Sequence, residues 1–92
     1  MINGNINEFI DKLVYGDEVT FVFEGKKFFV QGYPDDGIYT LYLDQWEPPA
    51  DDYIFICRGS DKDYPVNEFL EAKIWDGKSF WEIEKEVEWV DA

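Results

Sequence analysis

The stretch Val19-Thr20-Phe21-Val22-Phe23-Glu24-Gly25-Lys26-Lys27-Phe28-Phe29-Val30 decides the fold class. Val19, Phe21 and Phe23 alternate with Thr20 and Val22, the period of two that marks a strand with one face buried. Glu24-Gly25-Lys26 then turns the chain into Phe28-Phe29-Val30, so the segment reads as a β-hairpin. A sheet is therefore part of the fold, and its neighbours in sequence must cover it.

Upstream the period changes to that of a helix. Ile6, Phe9, Ile10, Leu13 and Val14 make one apolar stripe, with Asn5 as N-cap, Glu8 three residues on and Gly16 as the terminating C′ residue. Downstream, Pro34-Asp35-Asp36-Gly37 is a turn, and Ile38 to Leu43 is a third strand. Asp44 to Asp52 holds two prolines and four acids and reads as an exposed loop. Tyr53 to Arg58 is a fourth strand, apolar on both faces and hence expected near the centre of the sheet. After a loop over Gly59 to Asp63, Pro65 opens a helix carrying Val66, Phe69, Leu70 and Ile74. Asp76-Gly77 breaks it, and Ser79-Phe80-Trp81-Glu82 is a capping box for a last helix continued by Ile83 and Val87. The predicted fold is α+β: an N-terminal helix, a four-stranded antiparallel sheet of two hairpins, and two C-terminal helices packed on one face. Residues 1–92 form one domain, with an expected radius of gyration of roughly 12 Å.

Two parts of the chain carry a resemblance. Glu8-Phe9-Ile10 and Gly16-Asp17-Glu18-Val19 lead into Phe23-Glu24-Gly25-Lys26-Lys27-Phe28, and the close runs Glu68-Phe69-Leu70-Glu71-Ala72-Lys73-Ile74, Asp76-Gly77-Lys78-Ser79 and Trp81-Glu82-Ile83. Both resemble a loose family of small acidic proteins of Firmicutes and their phages and plasmids. The resemblance is weakest from Pro34 to Asp63. Its motifs are structural, so it implies a fold and a genomic setting and brings no activity.

Composition narrows the function classes. Hydrophobic residues make up 46% of the chain, enough for a core. No apolar run approaches the ~20 residues of a membrane span, and the start Met1-Ile2-Asn3-Gly4-Asn5 lacks a signal-peptide pattern, so a cytoplasmic location is expected. The single Cys57 sits in an apolar run and reads as a core residue. Twenty-one acids against eight bases give a net charge of −13, which disfavours direct binding to nucleic acid or to anionic membranes and favours a basic protein surface.

Histidine is absent, which removes the commonest general base, the Ser-His and Cys-His pairs and the usual zinc ligand sets. The seven glycines are scattered at turns and form no phosphate loop. The acidic pairs Asp35-Asp36, Asp51-Asp52 and Asp61/Asp63 lack the EF-hand spacing. With so many acids, some pair will match a glycosidase spacing by chance. No enzyme activity, catalytic residue, cofactor or metal site is expected.

Two features point to binding. Aromatic residues make up 20% of the chain, and Phe21, Phe23, Phe28, Phe55, Phe69 and Phe80 fall on predicted inward faces. Trp46 stands apart in a polar, proline-rich segment, where it either folds back over the sheet or stands out as an anchor. Of Trp75, Trp81 and Trp89, at least one should reach the surface. The second feature is the placement of the acids. Residues 1–30 carry five acids and three bases, residues 31–64 eight and two, and residues 65–92 eight and three.

Glu82, Glu84, Glu86 and Glu88 occupy alternate positions; on a strand they would share one face at about 6.6 Å intervals, and on a helix the row dissolves. Ser79 argues for helix through Lys85, with Glu86 to Val90 free to finish extended at the sheet edge. The candidate partner-binding residues are Asp44, Trp46, Glu47, Asp51, Asp52, Glu82, Glu84, Glu86 and Glu88.

The leading function is a protein–protein interaction module. Its sharpest form is a nucleic-acid mimic of the anti-restriction or anti-CRISPR type, blocking a basic DNA- or RNA-binding partner. The alternatives are a carbohydrate- or ligand-binding domain that uses exposed aromatics, or a structural protein; an exposed Trp also suits a homodimer.

Overall fold

In the computed structural model, which describes residues 1–60 and 63–91, the deciding stretch folds as the expected hairpin. β1 (Val19–Phe23) pairs antiparallel with β2 (Lys26–Asp35), with Val19 opposite Val30 and Phe21 opposite Phe28. Glu24 and Gly25 both take positive φ, 51° and 75°, the type I′ arrangement whose twist matches the flanking strands. Asp36-Gly37 repeats this device at 51° and 81° and joins β2 to β3 (Ile38–Glu47), which pairs in turn with β4 (Phe55–Gly59).

Three expectations are corrected here. The sheet has five strands, in the order β4-β3-β2-β1-β5, because β5 (Glu88–Asp91) pairs antiparallel with β1. Asp44 to Glu47 belongs to β3, since the long arm of β2 continues to pair with it as far as Lys27 opposite Glu47; the loop begins only at the cis peptide Glu47-Pro48. β4 lies at the sheet edge and not at its centre, and Ile56 on its outer face is exposed.

α1 (Ile6–Val14) starts as expected, the Asn5 side chain accepting from the Asn7 and Glu8 amides. It ends in a Schellman motif: Gly16 N–H donates to Leu13 O and Asp17 N–H to Lys12 O, with Gly16 at φ 73°. α2 (Val66–Glu71) has Pro65 as N-cap. α3 (Phe80–Ile83) carries the complete Ser79–Glu82 capping box, but it stops short of Lys85, and Glu84–Glu86 is a 3₁₀ turn. All the helices lie on one side. Phe9, Leu13, Phe69, Leu70, Phe80 and Ile83 close one core with the inward residues of the sheet.

The expected inward rings are buried, with Phe55 half-buried against them, and Cys57 is a core residue whose Sγ lies 3.8 Å from Pro65 O. The radius of gyration is 12.4 Å. Among the described residues no helix is long and apolar enough to cross a membrane. Asp61, half of the Asp61/Asp63 pair, lies outside the described residues.

Gly32 on β2 shows how closely helix and sheet approach. Its N–H donates to Gly16 O at 3.2 Å. A Cβ here would stand 2.5 Å from Gly16 Cα and 2.7 Å from the Tyr64 ring. The ring could swing away, but the Gly16 backbone is pinned by its Schellman bonds. Gly32→Ala should therefore behave as overpacking and destabilise by about 1–3 kcal/mol. A thermal melt checks it: a midpoint within a degree of the parent would mean that the approach is looser than drawn.

Candidate functional site

With the helices on one side, no element among the described residues covers the other face of the sheet. Register assigns its residues. Phe29 pairs with Thr20 on one side and Asp44 on the other, Tyr42 with Gln31 and Ile56, and Val22 with Glu88. Opposite Lys27 and Phe28 the ladder skips a residue of β3, so Phe28 faces Gln45, Lys27 faces Glu47, and Trp46 is the extra residue of a bulge. Alternation along β3 puts Trp46 on the open face, and the bulge keeps Glu47 beside Lys27 on that face. The Trp46 ring stacks on Phe29 at 4.3 Å between centroids and 14° between planes. Trp46 is still 44% exposed, so it both folds back on the sheet and presents a free ring face. On the same face Tyr53 tilts against Tyr42, ring centroids 5.0 Å apart.

Acids frame these rings. Glu47 extends past Lys27, with 3.9 Å between Oε1 and Nζ. A shallow hollow of about 200 Å³ is lined by Asp44, Ala50, Asp51, Asp52 and Tyr53. Two of its carboxylates hold the local backbone, Asp44 accepting from the Gln45 amide and Asp52 from the Tyr53 amide. Glu88 lies across the sheet on β5 and accepts from Asn3 Nδ2 at 2.7 Å. Of the predicted binding residues, Asp44, Trp46, Glu47 and Glu88 thus share one face, with Asp51 and Asp52 in the adjoining loop.

The other three are placed elsewhere. Because the chain passes from α3 through a 3₁₀ turn into β5, Glu82, Glu84, Glu86 and Glu88 form no common row. Glu84 accepts from the Met1 ammonium at 2.8 Å, and Glu86 stands exposed in the turn. Glu82 accepts from the Ser79 amide at 3.0 Å and from Lys73 Nζ at 2.9 Å, and these contacts, the Ser79 bond foremost, hold its carboxyl down at about 2. The folded value lies below the ordinary 4.5, so the unfolded chain takes up the proton first as pH falls. The stabilisation is complete above about pH 4.5 and is lost as pH drops towards about 2. Glu82→Gln should flatten the acid limb of a plot of Tm against pH in that window. Superimposable acid limbs would remove Glu82 from this role.

Phe29, Tyr42 and Tyr53 were missed as site residues. The strict alternation after the first turn was a usable signal for Phe29, because Phe28 facing in obliges Phe29 to face out. Among the described residues no group of three or more His, Cys, Asp or Glu gathers in a way that could hold a metal ion. Burial pushes the Cys57 thiol up to about 12, helped by nearby Glu68, so it stays protonated. As expected of the three later tryptophans, one reaches the surface: Trp75 is buried, Trp89 stacks on Phe9 and Trp81 is exposed. No family model, curated protein or solved structure matches the chain.

Proposed function

We propose that the protein is an interaction module that docks the open face of its sheet on a basic surface of a partner protein. The observation that carries this reading is Trp46, stacked on Phe29 yet with one ring face free, on a sheet face that no helix covers and that Asp44, Glu47 and Glu88 border. An aromatic centre with a polar rim is the anatomy of a protein interface, and Trp is enriched among residues that dominate its energy. The net charge of −13 steers such a face towards a cationic partner.

A partner that is basic because it binds DNA or RNA gives this reading its nucleic-acid-mimic form. Support for that form is the charge alone, since the glutamates of the C-terminal segment make no regular array. Affinity for a captured partner should fall steeply from low to high salt. An affinity indifferent to salt would end the basic-partner reading.

The exposed rings of Trp46 and Tyr53 on the same side favour a second reading, a carbohydrate platform. It predicts a change in Trp fluorescence with neutral glycans that salt leaves unaltered.

A further inference from the structure

Gln45, paired with the inward Phe28, lies on the helix side, and there it borders a groove of about 740 Å³. The groove runs between the β1–β2 turn and the joint linking α2 to α3. Phe23, Phe28, Ile54, Ile74 and Trp75 supply its apolar lining. The Trp75 ring meets Phe28 edge-on at 4.9 Å and Phe23 at 5.9 Å between centroids. Glu24, Lys26 and Asp76 are its charged members, two acids against one base.

Two further observations single this groove out. Trp75 is 5% exposed, and its buried Nε1 has no hydrogen-bond partner among the described residues. That N–H is closed to solvent, so what Trp75 offers an occupant of the groove is apolar ring. Glu24 and Asp76 each open a turn at positive φ, 51° and 56°, and each is followed by glycine, Gly25 and Gly77. Asparagine suits such a position better than glutamate does. Local turn chemistry thus does not explain the choice of Glu24, whereas a cation in the groove would.

We infer that the groove is the anchor pocket for an arginine on the proposed partner. The guanidinium lies between Glu24 and Asp76, and its stem packs on the apolar lining, the Trp75 ring included. Arginine fits better than lysine because a planar guanidinium packs on aromatic rings and forks onto carboxylates. The inference rests on the basic-partner reading above, and its chemistry differs from that of the open face, whose rings border only a shallow hollow.

The four indole N–H groups give a separate readout for each tryptophan in a ¹⁵N–¹H spectrum. The probe is the peptide acetyl-Gly-Arg-Gly-Arg-Gly-amide, and its control replaces arginine with citrulline, which keeps the shape and removes the charge. Trp75→Phe identifies the Trp75 signal by its loss. The arginine peptide should move that signal saturably and the citrulline peptide should not. The surface double variant Glu24→Gln/Asp76→Asn should bind about tenfold more weakly, and its fold is checked by its other resonances.

A Trp75 signal fixed throughout the titration overturns the inference. So does an equal response to citrulline, or a double variant that titrates like the parent; this last comparison stands even if Trp75→Phe fails to fold. A response at Trp46 with none at Trp75 sinks the pocket and leaves the open-face reading standing. A Trp75 response in the same protein whose partner affinity ignores Trp46→Ala would do the reverse.

Discussion

Phe21→Ala is expected to cost about 3–5 kcal/mol, a large part of the stability that a chain of this size has to lose. Phe21 is fully buried at the middle of an aromatic cluster. Its ring centroid lies 5.7 Å from Phe9, 5.5 Å from Phe28, and 5.8 Å from both Trp75 and Phe80. These partners come from α1, β2, the α2–α3 joint and α3, so one side chain ties every layer to the sheet. Removing it leaves a cavity bordered by rigid rings that cannot collapse to fill it, which places the loss towards the upper end of the range.

The acidity sharpens the effect. With a net charge of −13 the folded state carries self-repulsion that the core must outweigh, so the variant should be rescued in part by added salt. Urea unfolding checks this: the midpoint should fall by more than about 1 M, given slopes of about 1–3 kcal/mol per molar. Tyr33→Ala, at an exposed ring on β2, is the control and should stay within about 0.5 kcal/mol. Equal shifts in the two variants would show that the cluster does not hold the fold.

What the sequence disclosed about this fold was whatever depends on near neighbours. Asn5, the stripe from Ile6 to Val14 and Gly16 define α1 because capping and helical period act within a few residues. The Glu24-Gly25 and Asp36-Gly37 turns set the meander for the same reason. The errors came where the partner lies far along the chain. Tyr53 to Arg58 is apolar on both faces whether it is central or at an edge, and only the arrival of β5 at the far side of β1 fixes the order.

Over Glu84 to Asp91 two periods compete. Ser79 starts a helix, yet Val87 is fully buried and Trp89 stacks on Phe9 while Glu88 faces out, which is the period of a strand. Strand pairing with β1 prevails, and it dissolves the acidic row that a sequence-level site included. Trp46 was legible as a misfit among prolines and acids. Phe29 was legible as an outward residue, but its stacking on Trp46 was not, because the two are 17 residues apart in sequence and meet only through the β2–β3 register, which no local pattern encodes.

Trp46→Ala should abolish most partner binding and leave the fold intact. The ring contributes to no buried core: it rests on Phe29 from outside the sheet, and the core among the described residues closes without it. A Tm within a few degrees of the parent is therefore expected, together with a loss of at least tenfold in affinity and up to about a thousandfold, the range for a central Trp in an interface. Asp44→Asn/Glu47→Gln should act differently. Rim charges set the rate of encounter, so this variant should slow association and flatten its salt dependence while the dissociation rate changes little. Trp46→Ala should speed dissociation instead, because the anchor acts after contact. The two variants thus separate steering from anchoring on one face. If Trp46→Ala binds like the parent while the fold is unchanged, the open face is not the interface, and the exposed ring serves only to cover Phe29.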